Sequence, residues 1–452
     1  MLELHFRQAL LPSGWSRDVR LSIADGRIAA VHIGVVAGDA DECHAIGVPG
    51  LPNLHSHGFQ RSMSGLTEIR AASSDSFWTW RELMYRFVAR MTPEDIEAIT
   101  AQAYLEMLEA GFTRVGEFHY IHHDPSGAPY GDIAELGGRV AAAAQSGGIG
   151  LTLLPVFYAH AGFGGRPPDE GQRRFVNNVD RFARLIEASR AAVAGCGGAV
   201  LGVAPHSLRA VTPDELTAIL PLADAGPIHI HVAEQMREVE DCIAWSGSRP
   251  VQWLLDHAPI DRRWCLVHAT HMTDQETRAM AATGAVAGLC PVTEANLGDG
   301  IFNAPEFCDA GGTLGVGTDS NVLIGVTDEL RQLEYSQRLK LRARNVMARA
   351  RTASTGRALF DGALAGGAQA LGVAGGLAVG LAADVVSLDS NSPALAGRSG
   401  DAILDGWIFG SRCSPVDCVW TSGRKVVTNG RHHQAERVAA GFRRRLERLL
   451  AA

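Results

Sequence analysis

The sequence predicts an α/β protein: a (β/α)8 TIM barrel that carries a small β-sandwich domain formed from both chain ends. In the central region, strand-like apolar runs alternate with helical segments, which is typical of βα units around a parallel sheet. At both ends this pattern gives way to short apolar runs separated by turn residues, which is typical of antiparallel strands. Because the two ends share this texture, we expect them to form one sandwich.

The central region contains eight candidate strands, which is the number that closes a TIM barrel. Helical signals separate them, as where Thr92-Pro93-Glu94-Asp95 opens a helix that Gly111 stops. The candidate strands are residues 48–57, 113–118, 149–157, 200–207, 227–234, 265–271, 285–291 and 313–321.

The predicted domain boundaries follow from this division of the chain. Residues 49–375 should form the barrel, and residues 1–48 and 376–452 the sandwich. The tail 436–450 should be an amphipathic helix, because its apolar residues recur at helical spacing. These residues are Val438, Phe442, Leu446 and Leu449.

Composition favours a globular protein that acts on small molecules. Of 452 residues, 46% are hydrophobic and 20% charged, so apolar material is ample for a core. The net charge of -8 comes without a long basic run, which gives no reason to expect nucleic acid or an anionic membrane as partner. Eight cysteines without a CxxC pair, and no apolar segment of membrane-spanning length, favour a reducing cytoplasm. A homodimer is expected because dimers are the commonest oligomers.

Histidines and an aspartate at strand ends predict a metal site. His55 and His57 are two residues apart on one strand, so their side chains project to the same side. An isolated pair of this kind more often packs than binds a metal. However, TIM-barrel sites lie at the C-terminal strand ends, and His231, His268 and Asp319 also stand there. We expect His55, His57, His231 and Asp319 to hold one divalent ion that activates water.

Two choices in this site stay open in the residue pattern. His229 and His231 share a strand face, but His231 is nearer the strand end, so we interpret His229 as a core residue or as one that supports a ligand from behind. Glu234 could reach a water in the site, or it could be an ordinary acid near a helix start. Only Lys340 and Lys425 are lysines, so no strand end offers the carboxylated lysine that bridges two ions in binuclear barrel hydrolases. A single ion is therefore expected.

Six short motifs lie at the ends of the predicted strands. They are LHSHGFQR at 54–61, EFHY at 117–120, APHSLR at 204–209, HIHVAEQ at 229–235, LVHATH at 266–271 and GTDSN at 317–321. Together they resemble the amidohydrolase superfamily along essentially the whole chain. FWTWR at 77–81 and CPVTEANLGDG at 290–300 resemble its formimidoylglutamate deiminase branch rather than its nucleobase deaminases.

The resemblance implies hydrolysis of N-formimino-L-glutamate to N-formyl-L-glutamate and ammonia, in histidine degradation. It implies that Asp319 orients and deprotonates the attacking water, that Glu234 exchanges protons with the imino nitrogen, and that His268 donates a hydrogen bond to the attacking oxygen. Zn²⁺ is the expected ion and Fe²⁺ the alternative.

A substrate with two carboxylates calls for planar, bidentate donors, which arginine supplies better than lysine. The matching motif positions are Gln60, Arg81, Tyr120, His206 and Arg209. Taken singly, an arginine is more often solvated and a strand-end tyrosine more often packed.

Two rival functions use the same sequence features. A deaminase of an aromatic ring, such as guanine or an adenosine derivative, would keep the metal machinery but need stacking surfaces more than paired arginines. A metal-retaining scaffold without turnover is the other, and the presence of both Glu234 and His268 argues against it.

Overall fold

The computed structural model describes residues 2–68, 77–349 and 352–451, with side chains of the second range described from residue 80 onward. The strands are β1 Leu2–Leu11, β2 Gly14–Ala24, β3 Arg27–Ile33, β4 Glu42–Pro49, β5 Leu51–Ser56, β6 Phe112–His119, β7 Gly150–Phe157, β8 Val200–Leu201, β9 Ala204–Pro205, β10 Ile228–Val232, β11 Trp264–His268, β12 Val286–Leu289, β13 Thr313–Val316, β14 Val385–Leu388, β15 Val416–Thr421, β16 Arg424–Thr428 and β17 Arg431–His432.

Helices connect most of these strands. They are α1 Phe77–Val88, α2 Pro93–Glu109, α3 Glu135–Gly147, α4 Val179–Val193, α5 Pro213–Ile219, α6 Met236–Ser246, α7 Pro250–His257, α8 Asp274–Thr283, α9 Pro291–Leu297, α10 Ala304–Asp309, α11 Val326–Leu341, α12 Thr355–Ala370, α13 Ala402–Asp405 and α14 Ala435–Ala451. Among the helices of these described ranges, none is long and apolar enough to cross a membrane.

The strands from β5 to β13 close the predicted barrel. One parallel sheet runs β5-β6-β7-β8 with β9 also on β7, and a second runs β10-β11-β12-β13. Parallel bridges between Ser56 and Asp319 and between Ser207 and His231 join the two sheets into a ring. Because β8 and β9 are two halves of one strand position, the ring has eight positions, and the TIM-barrel prediction is confirmed.

The barrel strands differ in length from their predicted extents, and at two positions the fold gives a specific reason. The predicted strand 48–57 begins only at Leu51, because β4 pairs with β1 and β14 through Pro49 and so belongs to the other sheet. The predicted strand 200–207 is interrupted between β8 and β9. There Gly202 lies against Pro227, whose carbonyl oxygen would be 2.4 Å from a Cβ on the glycine.

Both chain ends contribute to one mixed sheet, in the order β17-β16-β15-β14-β4-β1-β2-β3. This sheet folds over on itself, since Gly423 in the β15–β16 turn lies against Ile23 of β2: a Cβ on that glycine would be 2.7 Å from the isoleucine Cγ2. Apolar side chains from both ends, including Phe6, Leu21 and Trp420, form its buried core. The expected joint sheet of the two ends is confirmed, whereas the boundaries at residues 48 and 376 stay predictions.

The expected C-terminal helix is present as α14. It packs on the barrel helix α2, with Val438 and Leu449 buried. Arg448 adds an ion pair to the fully buried carboxylate of Asp95. The tail is therefore fixed to the outer surface of the barrel.

Candidate active site

Four side chains converge at the C-terminal end of the barrel. His55 is in β5 and His57 directly follows it, His231 is in β10, and Asp319 is among the residues that follow β13. The Nε2 atoms of His57 and His55 lie 3.1 and 3.4 Å from Asp319 Oδ1, and His231 Nε2 lies 3.0 Å from His55 Nε2. All four ligand atoms are within 4.8 Å of one another, and all four residues are buried.

The protonation states of this cluster fit a divalent cation. Burial lowers the pKa of His55 to about 3, so its imidazole is neutral and can offer a lone pair. Burial alone would raise the pKa of Asp319, but the adjacent imidazoles of His55 and His57 hold it well below its ordinary value. His57 Nδ1 donates to the Phe118 carbonyl at 2.8 Å, which aims Nε2 at the centre of the cluster. Neutral imidazoles with one carboxylate are a donor set for a divalent metal.

His229 lies apart from this cluster, as the sequence pattern predicts. Its Nε2 atom donates to the Ala370 carbonyl at 2.7 Å, on the side of α12, and the side chain is fully buried. Burial lowers its pKa to about 4, so the imidazole is neutral. The position of His229 is that of a core residue.

Glu234 and His268 stand next to the metal-ligating cluster. His268 Nε2 lies 3.9 Å from Glu234 Oε1 and 3.8 Å from Asp319 Oδ2. Its Nδ1 atom is 3.2 Å from Glu294 Oε1. Burial would lower the pKa of His268, but the carboxylate of Glu234 and the hydrogen bond to Glu294 raise it to about 10. Burial raises the pKa of Glu234, although His268 and Arg209 oppose that effect.

Strained backbone accompanies these side chains. Positive φ angles are uncommon for residues other than glycine and concentrate at functional sites. Here they follow the ends of three barrel strands, at Ala233 (52°), His268 (66°), Ala269 (47°), Asp319 (43°) and Asn321 (55°). The surrounding hydrogen bonds hold these conformations, as where Asn321 Nδ2 donates to the carbonyls of His57 and Asp319.

One cavity brings together the five residues proposed for substrate binding. Gln60, Arg81, Tyr120, His206 and Arg209 all line it, beside metal ligands and catalytic candidates. Gln60 Nε2 donates to the Tyr120 hydroxyl at 2.8 Å. Burial and the nearby arginines lower the pKa of His206 well below its ordinary value, so this ring is neutral.

The two arginines reach the cavity from different elements. Arg209 follows β9, has a side chain only 12% exposed, and lies 4.0 Å from Glu234 Oε2. Burial would lower its pKa, but the carboxylates of Glu238 and Glu234 raise it. Arg81, on α1, stacks on the Tyr85 ring at 5.5 Å. The cavity therefore combines a metal-ligating end with a guanidinium-rich wall.

Three polar residues of the site, among others, were not predicted from the sequence. Tyr158 lines the cavity directly after β7, and the strand-end rule would have found it. Tyr85 lies four residues after Arg81 on α1, a spacing that places both on one helix face. Glu294 lies within a recognised motif, but only the fold reveals its contact with His268. Within the motif at 77–81, the side chains of Phe77, Trp78 and Thr79 lie outside the described residues.

Comparisons with known proteins agree with this geometry. The profile of the amidohydrolase family matches residues 46–426, and that of the N-terminal domain of formimidoylglutamate deiminase HutF matches residues 1–45. The formimidoylglutamate deiminase of Pseudomonas aeruginosa is 53% identical over 100% of both chains. A 5-methylthioadenosine/S-adenosylhomocysteine deaminase of Natronomonas pharaonis is 31% identical over 79% of this chain and 75% of its own.

The fold comparison points the same way. The crystal structure of an amidohydrolase from Brucella melitensis superposes with a TM-score of 0.97, at 59% identity over 100% of both chains. Barrel, donor set and full-length similarity thus agree, and the chain belongs to the amidohydrolase family, within its formimidoylglutamate deiminase branch.

Proposed function

We propose that this protein hydrolyses N-formimino-L-glutamate to N-formyl-L-glutamate and ammonia, as a step of histidine degradation. The observation that carries the proposal is one cavity that is lined both by Arg81 and Arg209 and by the donors His57, His231 and Asp319. A substrate with carboxylates at one end and a hydrolysable amidine at the other matches that polarity. The full-length similarity to the Pseudomonas aeruginosa enzyme supports the same substrate.

The ligands, number and identity of the metal ion are also part of this proposal. His55, His57, His231 and Asp319 would hold one divalent ion, with Zn²⁺ the proposed ion and Fe²⁺ the alternative. When bound, such an ion lowers the pKa of a coordinated water toward ~7 and so supplies a nucleophile at neutral pH.

The residues around the donors have distinct tasks in the reaction. Asp319 Oδ1 lies toward His55 and His57 and Oδ2 toward His268, which supports the proposal that Oδ2 accepts the proton of the attacking water. Glu234, whose pKa burial raises, is suited to donate a proton to the imino nitrogen.

Both protons of the attacking water finally reach the nitrogen that leaves. As the water oxygen adds to the formimino carbon, Asp319 takes one of its protons and Glu234 gives its own proton to the imino nitrogen, so the tetrahedral carbon bears a hydroxyl and an amine. The proton on Asp319 then passes to the amine, which leaves as ammonia, while the hydroxyl returns its proton to Glu234 and the C–O bond becomes the formyl carbonyl. His268, held by Glu294, donates a hydrogen bond to the oxygen on which negative charge develops.

The substrate carboxylates would be bound by the arginines that line the cavity. Arg209 and Arg81 supply the guanidinium groups, while Gln60, Tyr120 and His206 offer further hydrogen bonds from the lining of the same cavity. Ligands that lack a carboxylate would leave these buried polar groups unpaired, which is how such pockets discriminate.

Location and assembly complete the proposal. A cytoplasmic location is supported by eight cysteines that are all free thiols. A homodimer is proposed on the frequency of dimers among oligomers.

A substrate panel tests the proposed function. Purified protein is assayed for ammonia release with N-formimino-L-glutamate, with N-formiminoglycine, which lacks the second carboxylate, and with guanine and 5-methylthioadenosine. We expect kcat/KM to be highest for the glutamate derivative and at least about a hundredfold lower for the glycine derivative. Faster turnover of either purine would instead favour the ring-deaminase hypothesis. If none of the compounds is turned over, the scaffold hypothesis is favoured.

A further inference from the structure

The carboxylate of Glu238 lies directly beneath the loop that carries Glu234. Its side chain is on α6 and the residue is only 1% exposed. Oε1 accepts a hydrogen bond from the Ala233 backbone N–H, and Oε2 accepts one from the Glu234 N–H, both at 3.2 Å. One carboxylate thus fixes two consecutive peptide groups, and the second belongs to the proposed catalytic acid.

Helix capping does not account for this arrangement. Glu238 is the third residue of α6, whose N-cap is Gln235. An acid at this position normally accepts a hydrogen bond from the N–H of the N-cap residue itself. Glu276 does so on α8, where it accepts from Thr273 N at 2.8 Å. Glu238 instead reaches back past its N-cap, to the two residues that precede it.

The backbone that Glu238 holds is strained. Ala233 has a φ of 52°, in the left-handed region that a residue with a Cβ rarely adopts. On the other side of this residue, His271 N donates to the Ala233 carbonyl at 3.0 Å. Hydrogen bonds on both sides therefore keep a conformation that the isolated loop would leave, and this conformation sets the direction in which Glu234 projects.

We propose that Glu238 is a positioning residue, which fixes the backbone at Ala233 and Glu234 and thereby aims the Glu234 carboxyl group into the active site. The proposal rests on the proposed function only in that Glu234 must take part in catalysis. Glu238 is not among the residues that line the cavity, so it does not contact the substrate itself. Its charge also acts on Arg209, and the Glu238→Asp variant described below keeps that charge.

Two variants of equal chemistry provide the first test. Glu238→Gln keeps the side-chain length but leaves one acceptor oxygen for two N–H groups. Glu276→Gln makes the same change at a buried capping acid that also pairs with Arg249 and lies outside the cavity lining. We expect Glu238→Gln to lower kcat by about 10- to 100-fold, since small misplacements of catalytic groups have effects of this size. We expect Glu276→Gln to stay within about threefold of wild type.

A double-mutant cycle separates positioning from general damage to the fold. If Glu238 acts through Glu234, its substitution should lower kcat much less in a Glu234→Gln background, because the carboxyl group to be aimed is already absent. An undiminished loss in that background overturns the proposal, as does a kcat of Glu238→Gln that equals the Glu276→Gln control. Metal content and melting temperature are measured for every variant, and loss of metal from Glu238→Gln would also overturn it.

A second variant keeps the proposal testable if Glu238→Gln fails to fold. Glu238→Asp retains the charge but is one methylene too short to reach both N–H groups, and the same fall in kcat is expected. If the kcat of Glu238→Asp equals that of the wild type, the proposal is overturned. Wild-type protein that releases no ammonia from N-formimino-L-glutamate contradicts the proposed function instead, so the two failures are distinguishable.

Discussion

Replacing Arg209 by alanine is the most informative change to the substrate wall. The guanidinium is largely buried, lies 4.0 Å from Glu234 and is close enough to Glu238 for its charge to raise the arginine pKa. Removing one partner of a desolvated charged contact costs about 3 to 5 kcal/mol. At 1.36 kcal/mol for each factor of ten in rate, kcat/KM for N-formimino-L-glutamate should fall by roughly two to four orders of magnitude.

The assay combines ammonia release with metal analysis. Arg209→Ala should retain its metal, because Arg209 lies outside the donor cluster, whereas Asp319→Ala should abolish turnover of every substrate. Arg190→Ala provides a control at an arginine 45% exposed on α4, and its kinetics should match wild type. Normal kcat/KM in Arg209→Ala would refute the assignment of this residue to carboxylate binding.

Three further predictions follow from the same geometry. Chelation should abolish activity, and one equivalent of Zn²⁺ per chain should restore it; two ions per active chain by elemental analysis would contradict the mononuclear site. Glu294→Ala should lower kcat by about 10- to 100-fold with its metal retained, and Glu294→Gln, which keeps an acceptor for His268, should lower it less. His229 has a pKa near 4 in the fold against about 6.5 when unfolded, so the unfolded chain binds the proton first and stability falls as pH drops through that window. The melting temperature of His229→Asn should therefore fall less than that of the wild type between about pH 7 and pH 5, and its kcat should change little. A steeper fall in melting temperature, or loss of the metal, would contradict the core position of His229.

The sequence predicted the site best where regular strand geometry decides the direction of a side chain. His55 and His57 alternate with Ser56, so both face one side of β5, and the strand-end rule then brings His231 and Asp319 to the same place. The same reasoning placed His229 deeper in the barrel, where it bonds to α12.

Contacts between residues that are far apart in sequence could not be predicted from the sequence. The carboxylate of Glu294 reaches His268 across a sequence separation of 26 residues. Tyr85 lines the cavity from α1, a helix outside the ring of barrel strands. The residue pattern of this helix does not predict which part of the barrel it packs against. The predicted start of the first barrel strand, at residue 48, was wrong because β4 pairs with β14. This pairing joins residues more than 330 positions apart in sequence.

The products of a labelled turnover test the central claim most directly. N-Formimino-L-glutamate carrying ¹³C at the formimino carbon is incubated with the protein in ¹⁸O-water, and products are followed by NMR and mass spectrometry. The account predicts ¹³C-labelled N-formyl-L-glutamate with one ¹⁸O in its formyl group, and free ammonia in equal amount. Labelled formamide together with glutamate would mean that the other C–N bond is cleaved, and would contradict the account.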